Sequence, residues 1–237
     1  MKLTTVLFDL DGTLLPMDEN LFVKVYFKNL AARLGNHGYD GEKLIAAIWN
    51  GTAVMMKNDG SKTNEAAFWD SFCEVFGEDA RKDEPIFEDF YKNEFSCVRD
   101  VCECDPLVDK TVKEIHSLGL RTALATNPLF PQIATHSRIA WAGCAREDFE
   151  LITTYENSSF CKPSAGYYEH ILRELGVSAE ECLMVGNNVD EDILAAERLG
   201  MRVFLMPRRI INQSETDYSR FPQGGFPELI EYIKNEL

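Results

Sequence analysis

The chain has 237 residues, of which 45% are hydrophobic and 27% are charged, an ordinary composition for a globular protein. Its 39 acidic and 24 basic residues give a formal net charge of −15 and a pI near 4.7. Nucleic acids and anionic membranes are bound through basic patches that neutralise phosphate, so we expect neither of them as a partner.

The chain shows no sign of a targeting or membrane segment. Its first ten residues lack the apolar run of a secretory signal, and no apolar stretch approaches the roughly 20 residues that span a bilayer. The seven cysteines do not have the spacing of a small disulfide scaffold, so we interpret them as reduced thiols. We therefore expect a cytoplasmic protein. The sequence does not indicate its oligomeric state.

The first predicted element is a short apolar strand that ends in two carboxylates. Asp9 and Asp11 follow the strand two residues apart, and Gly12 and Thr13 come directly after them. Alternate residues of a strand share a face, and glycine lets the backbone turn tightly. The two acids are therefore expected at the carboxyl end of a buried strand, where open α/β sheets bind their ligands. Such a pair suits metal-assisted chemistry in which one carboxylate attacks and the other moves a proton.

The next part of the chain, up to about residue 103, has the pattern of helices alone. Apolar residues recur at helical spacing, and two of the segments stop at glycines. The predicted helices cover residues 20–34, 41–57, 64–76 and 84–96.

Beyond residue 105 the pattern alternates between helix and strand, which indicates a parallel doubly wound sheet. The predicted strands cover residues 121–126, 151–154, 182–186 and 202–206, and the predicted helices cover 107–118, 130–142, 164–175 and 191–199. We expect an α/β fold with a Rossmann-like core formed by residues 1–16 and 104–237. Residues 17–103 would form an inserted helical domain.

Three later segments of this core have polar residues where an apolar strand ends or a helix begins. Thr126 and Asn127 end one strand, in a sequence that also favours a plain turn. Lys162 precedes a proline, so it is expected in a loop ahead of a helix. Asn187 and Asp192 follow the strand that ends at Gly186. The neighbouring acids Asp190 and Glu191 are interpreted as favourable charges at a helix N-terminus.

Together these segments resemble the motifs of the haloacid dehalogenase superfamily, whose members are mostly Mg²⁺-dependent phosphatases. Asp9 to Thr13 matches the first motif, D-x-D-G-T, and the other three motifs follow in the expected order. The resemblance implies that Asp9 is the nucleophile and Asp11 the proton donor. It also implies that Lys162, Thr126 and the amide of Asn127 bind the phosphoryl oxygens. The helical insert then corresponds to the cap domain of that family.

The fourth motif departs from the family pattern, G-D-x-x-x-x-D. Its final acid falls on Asp192, but Asn187 stands where the first acid is expected. The resemblance implies an Mg²⁺ site made by Asp9, the Asp11 carbonyl, Asn187 and Asp192. An amide oxygen brings no charge and Mg²⁺ prefers anionic or water oxygen, so we expect weak metal binding. Asp190 or Asp192 would have to compensate.

The resulting hypothesis is a phosphatase that hydrolyses a small phosphorylated metabolite through an aspartyl-phosphate. Asp11 argues against a dehalogenase, because halide leaves without a proton. A phosphomutase and a catalytically weak, repurposed phosphate-binding protein remain as alternatives. The cap segments at residues 49–52 and 57–62 are expected to reach over the site and to set its specificity.

Overall fold

Four short parallel strands form the sheet in this computed structural model, which describes residues 2–237. Their order is β2-β1-β3-β4, so the strand that precedes Asp9 is an inner one. Nearly all of their residues are buried, as expected for a parallel sheet covered on both faces. The strands are β1 Thr5–Phe8, β2 Arg121–Leu124, β3 Cys182–Gly186 and β4 Arg202–Leu205.

Nine α-helices lie within the described residues, 2–237. The first four lie between residues 19 and 93 and form the helical insert: α1 Glu19–Gly35, α2 Gly41–Met56, α3 Asn64–Phe76 and α4 Glu84–Asn93. The other five belong to the α/β part: α5 Leu107–Ser117, α6 Gln132–Trp141, α7 Ala165–Leu175, α8 Ala195–Arg198 and α9 Phe226–Glu236. The predicted fold class, a doubly wound sheet with an inserted helical cap, is confirmed.

Helices α1, α2 and α3 of the cap begin at residues whose side chains accept hydrogen bonds from the first turn. Asp18 accepts from the amide of Leu21, and Asp40 accepts from the amide of Lys43. Such caps satisfy amides that have no partner within the helix. The local sequence therefore fixes where α1 and α2 start.

Alternation along the strands divides the core into two layers. Val6 and Phe8 pack into a cluster that includes α5, α9 and the aromatic interior of the cap. Leu7 and Met184 pack on the opposite face, against α7. The first layer joins the cap to the core without a break in apolar packing.

The chain crosses between core and cap at two places that lie side by side. Met17 pairs with Cys102 in an antiparallel bridge, and the amide of Glu103 donates to the carbonyl of Pro16 over 2.7 Å. The predicted boundaries, at residues 17 and 103, fall at this pairing. The division into domains there remains a prediction.

Two predicted elements differ from the structure. The structure also contains a helix, α9, that was not predicted. Residues 151–154 form no strand, because Ile152 makes only an isolated bridge to Leu124. The segment predicted as a helix over 191–199 begins as a π-helical turn, Val189–Leu194, before α8. Helix α9 lay beyond the last predicted strand. It covers α5, where Lys234 pairs with Glu114 at 2.7 Å.

No helix among residues 2–237 has both the length and the apolar character needed to cross a bilayer.

Candidate active site

The carboxyl ends of β1, β2 and β3 bring the predicted site residues to one edge of the sheet. The amide of Asp9 donates to the Val185 carbonyl of β3, and the amide of Ala125 donates to the Phe8 carbonyl of β1. Neighbouring parallel strands place their ends close together. Asp9, Thr126 and Asn187 therefore emerge at the same edge.

Lys162 is the buried cation of this edge. Its Nζ lies 2.8 Å from Oδ1 of Asp9 and 2.6 Å from Oδ1 of Asp192, and its side chain is only 1% exposed. Burial by itself would lower the pKa of Lys162, but Asp192 and Asp9 outweigh burial and raise that pKa well above its usual value. Lys162 therefore stays charged between two carboxylates.

Thr13 connects the other oxygen of Asp9 to Asn187. Its hydroxyl lies 3.1 Å from Oδ2 of Asp9 and 2.9 Å from Oδ1 of Asn187. One hydroxyl proton serves only one of these acceptors at a time, so Thr13 can donate to either. The amide nitrogen of Asn187 donates to the Arg209 carbonyl over 2.6 Å, which leaves the amide oxygen to face the Thr13 hydroxyl.

Gly12 makes this arrangement possible on two counts. Its φ of +88° lies in a region that residues with a side chain rarely adopt. A Cβ at this position would also lie 2.4 Å from the amide nitrogen of Asn187. The glycine of the first motif therefore allows the backbone to turn directly against Asn187.

Asp11 contacts a different cation from Asp9. One of its oxygens accepts a hydrogen bond from the guanidinium of Arg138, while its buried Oδ1 has no hydrogen-bond partner. Burial raises the pKa of Asp11, and Arg138 offsets only part of that rise. Because β1 ends before Asp9, strand alternation does not decide where these two carboxylates point.

Arg138 was not predicted as a site residue. It lies on α6, is 1% exposed and stacks on the ring of Phe130, with 4.5 Å between its guanidinium carbon and the ring centroid. A single arginine on an amphipathic helix is usually solvated. The sequence alone therefore gave no signal for it.

The side chain of Asn127 connects the loop that carries Lys162 to the segment that carries Glu191. Its side-chain oxygen accepts from the amide of Lys162 over 3.3 Å, and its side-chain nitrogen donates to Glu191 over 3.2 Å. The carbonyl of Thr126 accepts from Thr153 over 2.7 Å and from Tyr167 over 2.8 Å. Both predicted phosphate-binding residues are thus fixed at the sheet edge beside Lys162.

Asp190 and Asp192, in the segment after β3, hydrogen-bond to different partners. Oδ2 of Asp192 accepts from the amide of Asn188 over 2.9 Å, so with Lys162 both of its oxygens are engaged. Asp190 accepts from the amides of Gln213 and Ser214, both at 3.2 Å. Because Asp190 is held by that second loop, it does not supply the charge that Asn187 lacks.

The oxygen atoms of Asp9 and Asn187 are of the types that bind Mg²⁺, but together they carry little negative charge. Oδ2 of Asp9 and Oδ1 of Asn187 both contact the Thr13 hydroxyl, and carboxylate and amide oxygens are ligands that Mg²⁺ accepts. Within residues 2–237 no group of three His, Cys, Asp or Glu side chains is arranged to hold a metal. The donor types fit Mg²⁺, with Asp9 as the charged member of this pair.

A cavity of about 270 Å³ opens beside Asp11, between the core and the cap. Trp49 and Thr52, from the segment predicted to reach over the site, line it. The loop at residues 57–62 instead packs on Phe160: a Cβ at Gly60 would lie 2.3 Å from that ring. Of the two predicted cap segments, the structure brings residues 49–52 to the site.

The model of the haloacid dehalogenase-like hydrolase family matches residues 3–200, most of the chain. The chain belongs to this family. A glyceraldehyde 3-phosphate phosphatase of Methanocaldococcus jannaschii is 28% identical over 131 residues, which are 55% of this chain and 56% of that protein. A pyrophosphatase, PpaX of Halalkalibacterium halodurans, is 23% identical over 98% of both chains. The match to the first relative thus spans little more than half of that protein.

Solved structures share the fold. The 2-haloacid dehalogenase of Pseudomonas syringae pv. Tomato DC3000 superposes with a TM-score of 0.65, at 18% identity, over 99% of this chain and 100% of that one. At this identity the structural similarity shows the fold alone. The chemistry is indicated by the residues of the site.

Proposed function

We propose that this chain is a Mg²⁺-dependent phosphatase that hydrolyses a small phosphorylated metabolite through an aspartyl-phosphate. The observation that carries the proposal is the different surroundings of two nearby carboxylates. Asp9 is held by Lys162 and Thr13 at the sheet edge, whereas Asp11 contacts Arg138 and lines a cavity. One carboxylate is thus arranged to attack phosphorus and the other to move a proton.

In the first step an oxygen of Asp9 bonds to phosphorus as the bond from phosphorus to the leaving oxygen breaks. Asp11 gives its proton to that leaving oxygen. Burial raises the pKa of Asp11, which favours the protonated form that this step requires. In the second step Asp11 takes a proton from water, and the water oxygen bonds to phosphorus as the aspartyl bond breaks.

Lys162, the Thr126 hydroxyl and the amide of Asn127 would bind the phosphoryl oxygens. A fixed cation and fixed donors stabilise negative charge without having to reorganise during the reaction. Lys162 is suited to this role because two carboxylates and burial hold its Nζ in one place. Asp192 positions Lys162 in this scheme.

Mg²⁺, when bound, would supply positive charge between Asp9 and the phosphoryl oxygens. Asp9, Asn187 and the carbonyl of Asp11 would hold it. The metal role predicted for Asp192 stays a prediction, because Lys162 and the Asn188 amide engage both of its oxygens.

The test is hydrolysis of p-nitrophenyl phosphate with millimolar Mg²⁺, with EDTA and with the Asp9→Asn variant. The wild type should be active only with metal, and Asp9→Asn should lose turnover while keeping its Tm. The fold should survive because Lys162 keeps its 2.6 Å pair with Asp192. An inactive wild type, or an active Asp9→Asn, would contradict the proposal. The first result would favour a repurposed phosphate-binding protein, to which the uncharged Asn187 already points.

A further inference from the structure

The cavity beside Asp11 indicates which kind of alcohol the substrate releases. This inference rests on the proposed phosphatase function. We propose that the substrate is a phosphomonoester whose leaving group is bulky, apolar and free of negative charge. The named substrates of two relatives, glyceraldehyde 3-phosphate and pyrophosphate, have polar or anionic leaving groups. The cavity of this chain has the opposite character.

The position of the cavity makes it the site of the leaving group. Asp11 lies in its wall, and Oδ1 of Asp11 is buried without a hydrogen-bond partner. A proton donor must lie within hydrogen-bond reach of the oxygen that it protonates. The leaving oxygen therefore lies at Asp11, and the rest of the alcohol extends into this cavity.

The wall of the cavity is mostly aromatic. The hydroxyls of Tyr26 and Tyr91 bond to each other over 2.7 Å, so these two polar ends are already satisfied. Aromatic walls bind apolar groups and offer few partners to polar ones. Aromatic lining residues include Phe22, Phe27, Trp49, Phe68 and Phe130.

The charges around the cavity exclude an anion. Among the described lining residues the charged ones are Asp11 and Glu19, and none is basic. Glu19 is an exposed carboxyl group of this wall and offers an anion no positive charge. A carboxylate or second phosphate on the leaving group would face Glu19 without a cation to pair with.

Arg138 does not supply that cation. It is 1% exposed, and its guanidinium is paired with Asp11 and stacked on the ring of Phe130. The volume, about 270 Å³, is close to the lower limit of roughly 300 Å³ for ligand pockets. A leaving group with one aromatic ring system fits this size.

The experiment compares kcat/KM for benzyl phosphate and phosphoglycolate at pH 8 with Mg²⁺. Both are phosphates of primary alcohols, and they differ in carrying a phenyl ring or a carboxylate. We expect benzyl phosphate to be preferred at least 100-fold. A preference for phosphoglycolate would overturn the inference and leave the phosphatase function intact. No activity on either ester or on p-nitrophenyl phosphate would overturn both.

A cation placed in the wall should change this preference. Thr52 lines the cavity, and its hydroxyl bonds only to the Ile48 carbonyl of its own helix, so Thr52→Lys leaves no other residue unpaired. We expect this variant to raise kcat/KM for phosphoglycolate at least tenfold relative to benzyl phosphate. The matched control is Ala53→Lys, the same charge change at the next, exposed position of α2. An equal effect of both variants would contradict the assignment of the cavity.

Discussion

Arg138 donates a hydrogen bond to one oxygen of Asp11 and leaves the other oxygen without a partner. The arginine comes from α6 of the core, and its guanidinium also reaches the Thr135 hydroxyl over 3.3 Å. The core therefore fixes the orientation of Asp11 and leaves one of its oxygens free of hydrogen bonds.

This pair should show strong coupling in a double-mutant cycle of unfolding free energies. Removing one partner of a hydrogen bond to a buried group typically costs about 1 to 3 kcal/mol, because the other group is left unsatisfied. We expect Arg138→Met and Asp11→Asn each to destabilise the protein, and the double variant to lose less than the sum of the two. Urea unfolding measures all four proteins. Additive losses would contradict the pairing of Arg138 with Asp11, and Arg146→Met, at an exposed arginine, should cost little.

Lys162→Met should abolish turnover and lower stability together. The variant leaves Asp9 and Asp192 near each other without their shared cation, at a cost of about 3 to 5 kcal/mol. Thermal unfolding and p-nitrophenyl phosphate hydrolysis are the two measurements. The control is Lys57→Met, which removes the same charge from an exposed loop residue and should leave both quantities near wild type. A stable Lys162→Met protein would show that Lys162 does not neutralise the two acids.

Asn187→Asp should strengthen Mg²⁺ binding and weaken the metal-free fold. The amide nitrogen that donates to the Arg209 carbonyl would become an oxygen facing an oxygen, at a cost of about 1 to 3 kcal/mol. We expect a lower Tm in EDTA and a larger rise of Tm with Mg²⁺ than the wild type shows.

Asn188→Asp is the matched control for that variant, because it adds the same charge one residue away. Asn188 accepts from the amides of Asp190 and Glu191, a role that aspartate also fills. If Mg²⁺ raised the Tm of both variants equally, position 187 would not be a metal ligand.

The seven cysteines should differ sharply in reactivity. All are free thiols, and Cys104 is the exposed one. Burial raises the pKa of the other six, to about 12 for Cys102, Cys144, Cys161 and Cys182. Since the thiolate is the reacting form, a disulfide reagent at pH 7.5 should label one thiol quickly. Cys104→Ser should remove this fast phase and Cys97→Ser should keep it. A fast phase of several thiols would contradict the described burial.

Sequence periodicity predicted most of this fold because the helices and strands have strong local signals. Helix α3 spans Asn64–Phe76, the predicted range, and ends at the glycine at position 77. The segment at residues 151–154 has the composition of a strand but makes only one bridge to β2. Whether an apolar run finds a full partner strand depends on packing that its own residues do not encode.

The site was predictable where a residue follows a strand directly in the chain. Asp9, Thr126 and Asn187 fall into this class, since the sheet brings strand ends together. The partners of Asp11 and Asn187 were not predictable, because Arg138 and the carbonyl of Arg209 come from elements with no motif of their own. Such contacts arise from tertiary packing and have no local sequence pattern.

The pairing of Met17 with Cys102 has a mechanical consequence. Because the two crossings between core and cap are hydrogen-bonded to each other, any rotation of the cap would bend them together, as a two-stranded ribbon. Asp11 and Arg138 both lie on the core side of that ribbon. Opening the cap would therefore release a bound alcohol without moving the proton donor from its place.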